Sequence, residues 1–373
     1  MNPELLISTR TRLTPFSSRV EACGAKAYTV YNHMLLPSIF RSLEEDYWHL
    51  CEAVQVWDVS CQRQVEISGP DTLKLVQLIT PRDLSKAELG QCFYAPLCDE
   101  NGGMINDPIL IKHSDEHWWI SIADTDVMLW AMGLATGFAL NVKVSEADIW
   151  PLAVQGPKAE DLIARVFGNE IRTIRFFHSR KMNYAGKELL VARSGWSKQG
   201  GFEIYVNDAE LGAQLWDELF AKGKELNVRA GCPNLIERIE SGLLSFGGDM
   251  GYDTTPFECG LDQYVSLEAD IESLSIDALR TRKSKTKLMG IVIDRQVKLT
   301  DMRLFSGGKK IGVITSNTWS PKYLAHLAFA RCDINCIAEK QELQVISTSG
   351  EVSARMTELP FNFETLGLKS YCQ

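Results

Sequence analysis

Between Arg193 and Val206 the chain reads Arg-Ser-Gly-Trp-Ser-Lys-Gln-Gly-Gly-Phe-Glu-Ile-Tyr-Val. Its first half is a glycine-bearing loop. Its second half alternates strictly, with Phe202, Ile204 and Val206 on one face of a strand and Glu203 and Tyr205 on the other. Any fold that contains this strand must cover one face with a core and find a use for a carboxylate and a phenol on the other. With Trp196 in the adjoining loop, these side chains form a small polar-aromatic wall. Such a wall suits a flat heterocycle: a carboxylate accepts two adjacent N–H donors from an aminopyrimidinone edge, and aromatic rings cover its faces. The competing reading of the segment alone is an amphipathic edge strand with a solvated glutamate.

A chain of 373 residues can bury a large core and is expected to divide into two or three domains. The net charge of −9 argues against nucleic acid or an anionic membrane as the main partner. No apolar run reaches the roughly 18 residues of a membrane span. The start, Met1-Asn-Pro-Glu-Leu-Leu, lacks a signal-peptide pattern, so a cytoplasmic location is expected. Ten scattered cysteines without a Cys-x-x-Cys read as buried thiols rather than disulfides or metal ligands. His113 and His117 have the spacing of a helical metal pair, but they flank Ser-Asp-Glu between two apolar runs. That is a hairpin turn, and no metal is expected there.

Taken in order, residues 1–36 read as irregular. A helix is expected from Ile39 to Val54 with Ser38 as its N-cap, then strands over 55–60 and 64–68 and a helix opened by Gly69-Pro-Asp that runs to Leu78. Strands over 93–98 and 104–112 flank Asp99-Glu-Asn-Gly-Gly103, a hairpin signal. A strand over 118–123 follows, then a helix from Val127 to Phe138 with Asp124 as its N-cap. A similar order recurs: strand 152–155, a helix opened by Gly156-Pro-Lys-Ala and running to Val166, two strands around Ala185-Gly-Lys, the Glu203 strand, and helices over 209–226 and 232–244. The expectation is two related α+β units. From about Leu288, short strands (289–293, 311–315, 343–346 and 352–356) alternate with glycine turns, which reads as a small β-barrel.

The segment around Glu203 resembles the pterin-binding segment of the glycine-cleavage T-protein family, the tetrahydrofolate-dependent aminomethyltransferases. Where that family has Tyr-Thr-Gly-Glu, this chain has Trp196-Ser-Lys-Gln-Gly200. With Val56-Trp-Asp-Val-Ser-Cys61 and Tyr28-Thr-Val-Tyr-Asn-His-Met34, this variant is similar to the dimethylsulfoniopropionate demethylase branch of the family. The resemblance implies an α+β, three-domain cloverleaf-like T-protein fold. Residues 1–285 would form the folate-binding region of two intertwined α+β units, and 286–373 a C-terminal β-barrel.

It also implies roles. Glu203 falls where the family glutamate grips the pterin. Tyr94 and Gly102-Gly-Met-Ile-Asn-Asp-Pro108 resemble a family hairpin with two aspartates, of which the first is catalytic in aminomethyltransferases; here it is Asn106, followed by Asp107. Releasing ammonia and closing a methylene bridge calls for a carboxylate, whereas moving a sulfonium methyl to N5 does not. The alternative is that Asn-Asp simply suits a turn end. Arg238 matches an arginine that organises the folate site, the alternative being an exposed helix ion pair with Glu237 or Glu240. Gln155, in Val154-Gln-Gly-Pro157, matches a loop near the cofactor, and Trp319 lies in a segment matching a channel-lining loop of the last domain, where it either covers part of the ligand or packs between domains.

A dimethylsulfonium cation has no N–H to donate and is held by aromatic faces. Trp196, Tyr205, Trp319 and Tyr31 are the candidates, with Asn106, Tyr205 and Trp196 closest to the chemistry. Lys198 or a nearby backbone amide is the candidate for the substrate carboxylate, and Ser121 for a further substrate contact. The implied co-substrate is tetrahydrofolate and the implied donor a small molecule. Where the family carries Phe-Ile-Gly-Lys/Arg, this chain has Asp270-Ile-Glu-Ser-Leu274, which argues against a lipoyl-protein partner. A homodimer stays open, as do three rivals: a true aminomethyltransferase, a demethylase of another methylated substrate, and a non-catalytic folate-binding scaffold.

Overall fold

The computed structural model describes residues 7–337 and 342–367. The chain forms two compact units: Met1–Leu73 with Ala87–Phe93 and Pro108–Asn234, and Lys74–Lys86 with Tyr94–Asp107 and Leu235–Gln373.

The first unit contains a six-stranded sheet in the spatial order Ser179–Tyr184, Lys187–Ala192, Gly201–Val206, Trp150–Gln155, Val54–Asp58, Val228–Gly231. Its strands are antiparallel except the last pair, which is parallel. Alternation decides the faces. Val54, Val56, Leu152, Val154, Leu189, Val191, Phe202, Ile204 and Val206 point into a core shared with buried residues of the helices Ala159–Phe167 and Ala209–Lys222. The opposite face carries Trp57, Ala153, Ala192, Glu203 and Tyr205. There Ala192 and Tyr205 pack against Cys92, Ile111 and Trp119 of a five-stranded sheet. Two backbone bonds stitch the sheets: Cys92 N–H donates to the Phe177 carbonyl at 2.8 Å and Ser179 N–H to the Gly90 carbonyl at 2.6 Å.

Several expected boundaries move. The N-terminal stretch is not irregular throughout: it contains the helix Ser17–Ala22 and a hairpin of Ala27–Tyr31 with Met34–Ile39. That second strand consumes Ser38 and Ile39, so the next helix is Leu43–Glu52, capped by the Ser42 hydroxyl, which accepts from Glu45 N–H at 3.1 Å. Asp124 does not cap the helix Val127–Gly137; Asp126 holds that position, and the Asp124 carboxylate accepts from Asn32 N–H at 2.6 Å. The Asn32–His33 turn, both residues at positive φ, is thereby fixed at the end of the strand that carries Tyr31. His113 and His117 face each other across the tight turn between Ile109–Ser114 and His117–Ser121, with ring centroids 4.7 Å apart. Among the described residues no group of three His, Cys, Asp or Glu side chains could hold a metal, and no helix is long and apolar enough to cross a membrane.

The second unit contains the short hairpin Leu97–Cys98 with Met104–Asn106, the helix Leu235–Ser241, and a closed barrel. Around the barrel the strands run Thr286–Ile293, Ala325–Asp333, Lys309–Ser320, Leu299–Ser306, Leu343–Ser347, Gly350–Thr357. Two of these, Leu299–Ser306 and Ala325–Asp333, were not expected. The segment around Trp319, expected as a loop, is part of a twelve-residue strand. The expected strands over 93–98 and 104–112 are each interrupted, the second at Asp107-Pro108, where proline cannot donate to a ladder. The helices expected over 209–226 and 232–244 stop at Lys222 and span only Leu235–Ser241.

Candidate functional site

Glu203 lies in the middle of the six-stranded sheet, so the edge-strand reading does not hold. Its residue is only 5% exposed. Its partners in register on the two neighbouring strands are Ala153 and Ala192. Alanine on both sides leaves the carboxylate flanked by methyl groups instead of long side chains. One carboxylate oxygen, Oε2, accepts from the Ser194 hydroxyl at 2.5 Å. Burial pushes the Glu203 pKa up, and the Ser194 bond offsets that only in part.

The loop before the strand winds around one amide. Gln155, fully buried, donates from Nε2 to the Ser194 carbonyl at 3.1 Å and accepts at Oε1 from the Ser197 hydroxyl at 2.8 Å. Gly195, at φ +145°, passes so close that a Cβ there would sit 2.0 Å from Gln155 Nε2. The loop therefore needs glycine at 195 because another side chain fills the space. Trp196 is half-buried and Lys198 exposed on this loop.

Tyr205 continues the wall. Its hydroxyl is bonded to Ser121, whose own hydroxyl accepts from Gln64 Nε2 at 2.9 Å. Burial, with the Glu203 carboxylate next in weight, holds the Tyr205 phenol well above its ordinary pKa. Trp119 supports the ring, centroid to centroid 5.9 Å, and its indole N–H donates to Glu66 at 3.1 Å. Sequence reasoning placed Glu203, Tyr205, Trp196 and Ser121 in one neighbourhood but passed over Ser194, Trp119 and Cys92. The only signal for Ser194 was its position at the head of the glycine loop. Tyr31 ends its strand half-buried.

In the second unit, Tyr94 and Asp107 form a pair: the Tyr94 hydroxyl donates to Asp107 Oδ2 at 3.1 Å. Asp107 keeps partial surface exposure, yet enough protein surrounds its carboxyl that burial raises its pKa to about 7, with the nearby Asp249 adding to the rise against the Tyr94 bond. Tyr94 is pushed well above its ordinary value by burial and then by Asp107. Its ring meets Tyr264 edge-on at 4.8 Å. Asn106, at the end of Met104–Asn106 and paired with Leu97, is fully buried.

Arg238 is not an exposed helix cation. It is 8% exposed and donates to Asp249 at 2.8 Å, to the Leu243 carbonyl at 3.1 Å and to the Ser316 hydroxyl at 2.6 Å. Asp249, fully buried, also accepts from Thr315 and Ser316 on the barrel strand at 2.6 and 2.7 Å. No signal in the sequence singled out Asp249 from the glycine turn that holds it. Trp319 lies further along the same barrel strand, half-buried and paired in register with His326.

Comparison with known proteins gives one consistent picture. Residues 16–269 match the GCVT N-terminal domain, and residues 286–362 the glycine cleavage T-protein C-terminal barrel domain. Over 346 residues the chain is 47% identical to the dimethylsulfoniopropionate demethylase DmdA of Ruegeria pomeroyi, covering 92% of this chain and 95% of that one. It is 31% identical to an aminomethyltransferase of Bacillus cereus, covering 87% and 91%. The fold matches the glycine cleavage system aminomethyltransferase T of Bartonella henselae with a TM-score of 0.82 at 22% identity, over 93% of this chain and 97% of that one.

Proposed function

We propose, from the premise that the chain belongs to the glycine-cleavage T-protein family, that it is a tetrahydrofolate-dependent methyltransferase that demethylates dimethylsulfoniopropionate. The products are 3-methylthiopropionate and 5-methyltetrahydrofolate. One observation carries this reading: a buried glutamate, flanked by alanines, with one oxygen fixed by Ser194 and a Tyr205–Ser121 pair beside it. The 47% identity to a demethylase of that substrate supports the choice of donor.

In this reading the aminopyrimidinone edge of the pteridine donates to Glu203. The N5 lone pair forms the new N–C bond, the C–S pair stays on sulfur, and the sulfide leaves neutral. N5 then sheds one proton. Solvent takes this proton, so the transfer needs no carboxylate, and Asn106 holds the ligand without titrating. Tyr94 orients Asp107, while Arg238 and Gln155 hold backbone in place. Trp196, Tyr205 and Tyr31 supply faces for the sulfonium, and Lys198 attracts the substrate carboxylate. Alignment of nucleophile and methyl group contributes on the order of 7–11 kcal/mol.

The test incubates purified protein and tetrahydrofolate with dimethylsulfoniopropionate, glycine betaine, dimethylglycine or vanillate and assays 5-methyltetrahydrofolate by mass. Product from the sulfonium alone is expected. Product only from another donor would replace the substrate, and product from none would remove the transferase reading.

A further inference from the structure

We propose that Ser194, braced by Gln155, is a positioning residue that pins one oxygen of Glu203 so that the other is presented to the ligand. The inference rests on the folate reading above and deepens it. Three observations carry it. The Ser194 hydroxyl reaches Glu203 Oε2 at 2.5 Å, with both residues almost fully buried. The strand neighbours of Glu203 are alanines, which offer the carboxylate no other hydrogen bond from the sheet face. The Ser194 backbone is itself held, because its carbonyl accepts from the Gln155 amide around which the whole loop closes.

A carboxylate at the end of a glutamate side chain swings about its last torsion unless something stops it. A hydroxyl in a rigid loop stops it while occupying only one lone pair of one oxygen. A donor pair on the ligand then meets a preset acceptor, and less rotamer freedom is lost on binding. The same hydroxyl favours the ionised carboxylate, which is the form that accepts two N–H donors. It works against burial, which favours the neutral acid. The titratable groups that face Glu203 from its own strand and from the opposed sheet are Tyr205 and Cys92. Both stay uncharged through mild acid and neutrality: burial pushes the Cys92 thiol up to about 12 and Tyr205 well above its ordinary value. Glu203 is thus the group on this wall whose charge changes as the pH falls.

The experiment measures tetrahydrofolate affinity against pH, by calorimetry under anaerobic conditions, for the wild type and for Ser194→Ala, Ser194→Thr and Glu203→Gln. Titrations of the ligand itself are common to all four and cancel in the comparison. Ser194→Ala is expected to weaken binding about tenfold at neutral pH and to move the acid limb of the affinity profile upward by roughly one pH unit. Ser194→Thr, which keeps the hydroxyl, is expected to retain the wild-type limb, and Glu203→Gln to lose the limb. Wild-type affinity and limb in Ser194→Ala would overturn the inference and leave the folate reading standing. A loss equal at every pH, with the limb unmoved, would reduce Ser194 to loop packing and overturn it too. A wild type that binds no tetrahydrofolate would overturn the folate reading first, and the inference with it.

Discussion

Arg238 and Asp249 form an ion pair at 2.8 Å in which the two side chains are 9% and 0% exposed. The pair is fully partnered: the arginine also meets a carbonyl and a serine, and the aspartate also meets Thr315, Ser316 and the Ser245 N–H. It joins the helix Leu235–Ser241, the glycine turn that follows and the barrel strand Lys309–Ser320. Such pairs add little net stability over an apolar replacement, but breaking one side leaves a buried charge alone. Asp249→Ala should therefore lower unfolding free energy by about 3–5 kcal/mol. Arg238→Met with Asp249→Leu should lose much less. Urea denaturation of the three proteins checks both, and a double variant as weak as the single one would refute the account.

Gly195 offers a sharper steric test. Alanine there would need a positive φ and would put its Cβ 2.0 Å from a Gln155 amide that is hydrogen-bonded at both ends. The amide cannot move aside without releasing the loop. Gly195→Ala should cost at least 2 to 3 kcal/mol, roughly the strain of a disfavoured backbone conformation plus a broken buried bond. It should also weaken folate binding by more than Ser194→Ala does. Gly247→Ala is a control, since nothing lies within 4 Å of its Cβ position. It should show only the backbone penalty of its positive φ.

What the sequence revealed and what it hid follow from the range of the interactions. The strict alternation of Phe202, Ile204 and Val206 against Glu203 and Tyr205 exposed both the strand and its polar face, because the side-chain period separates the two faces even though both are buried. The glycine pair at 102–103 exposed its hairpin in the same local way. The N-terminal hairpin turns instead on Asn32 and His33, two non-glycine residues at positive φ, stabilised by Asp124, 92 positions away. The strand Leu299–Ser306 is mostly polar or half-buried and carries no clean alternation. Asp249 takes its meaning from Thr315 and Ser316, 66 and 67 positions on. Ser42, not Ser38, caps its helix because the hairpin claims Ser38 first.

Glu258 anchors the start of the barrel by its hydrogen bonds. Its carboxylate accepts from the N–H groups of Thr255, Lys285 and Thr286 at 3.0, 2.9 and 3.1 Å. Burial works to raise its pKa, but these donors outweigh it and hold the group below its ordinary value. A depressed carboxylate contributes stability that is complete above its unfolded pKa and is lost as pH falls through the lower folded value. Glu258→Ala should therefore destabilise most at neutral pH, by about 3 kcal/mol or more for donors left without an acceptor. The gap from wild type should narrow in strong acid. Thermal unfolding scanned from neutral pH downward checks the sign, and a gap that widened in acid would contradict it.

Asp107 has the opposite sign. Its folded pKa of about 7 stands above the ordinary 3.8, so the folded state holds a proton that the unfolded chain gives up. Stability linked to this group is present below the unfolded value and falls as pH rises from about 4 towards 7. The gap corresponds to an upper bound on the order of 4 kcal/mol, and the partial exposure of the residue brings the real figure lower. Asp107→Asn removes the titration, so its stability should gain on the wild type as pH climbs through that window. Tyr94→Phe deletes the hydroxyl that favours the charged form and should push the Asp107 pKa higher still. In Tyr94→Phe the pH-linked fall in stability should therefore extend to higher pH than in wild type, and in Asp107→Asn it should vanish. Thermal unfolding of the three proteins, scanned from mild acid to mild alkali, checks this, and a fall that persisted in Asp107→Asn would refute its assignment to this carboxyl group.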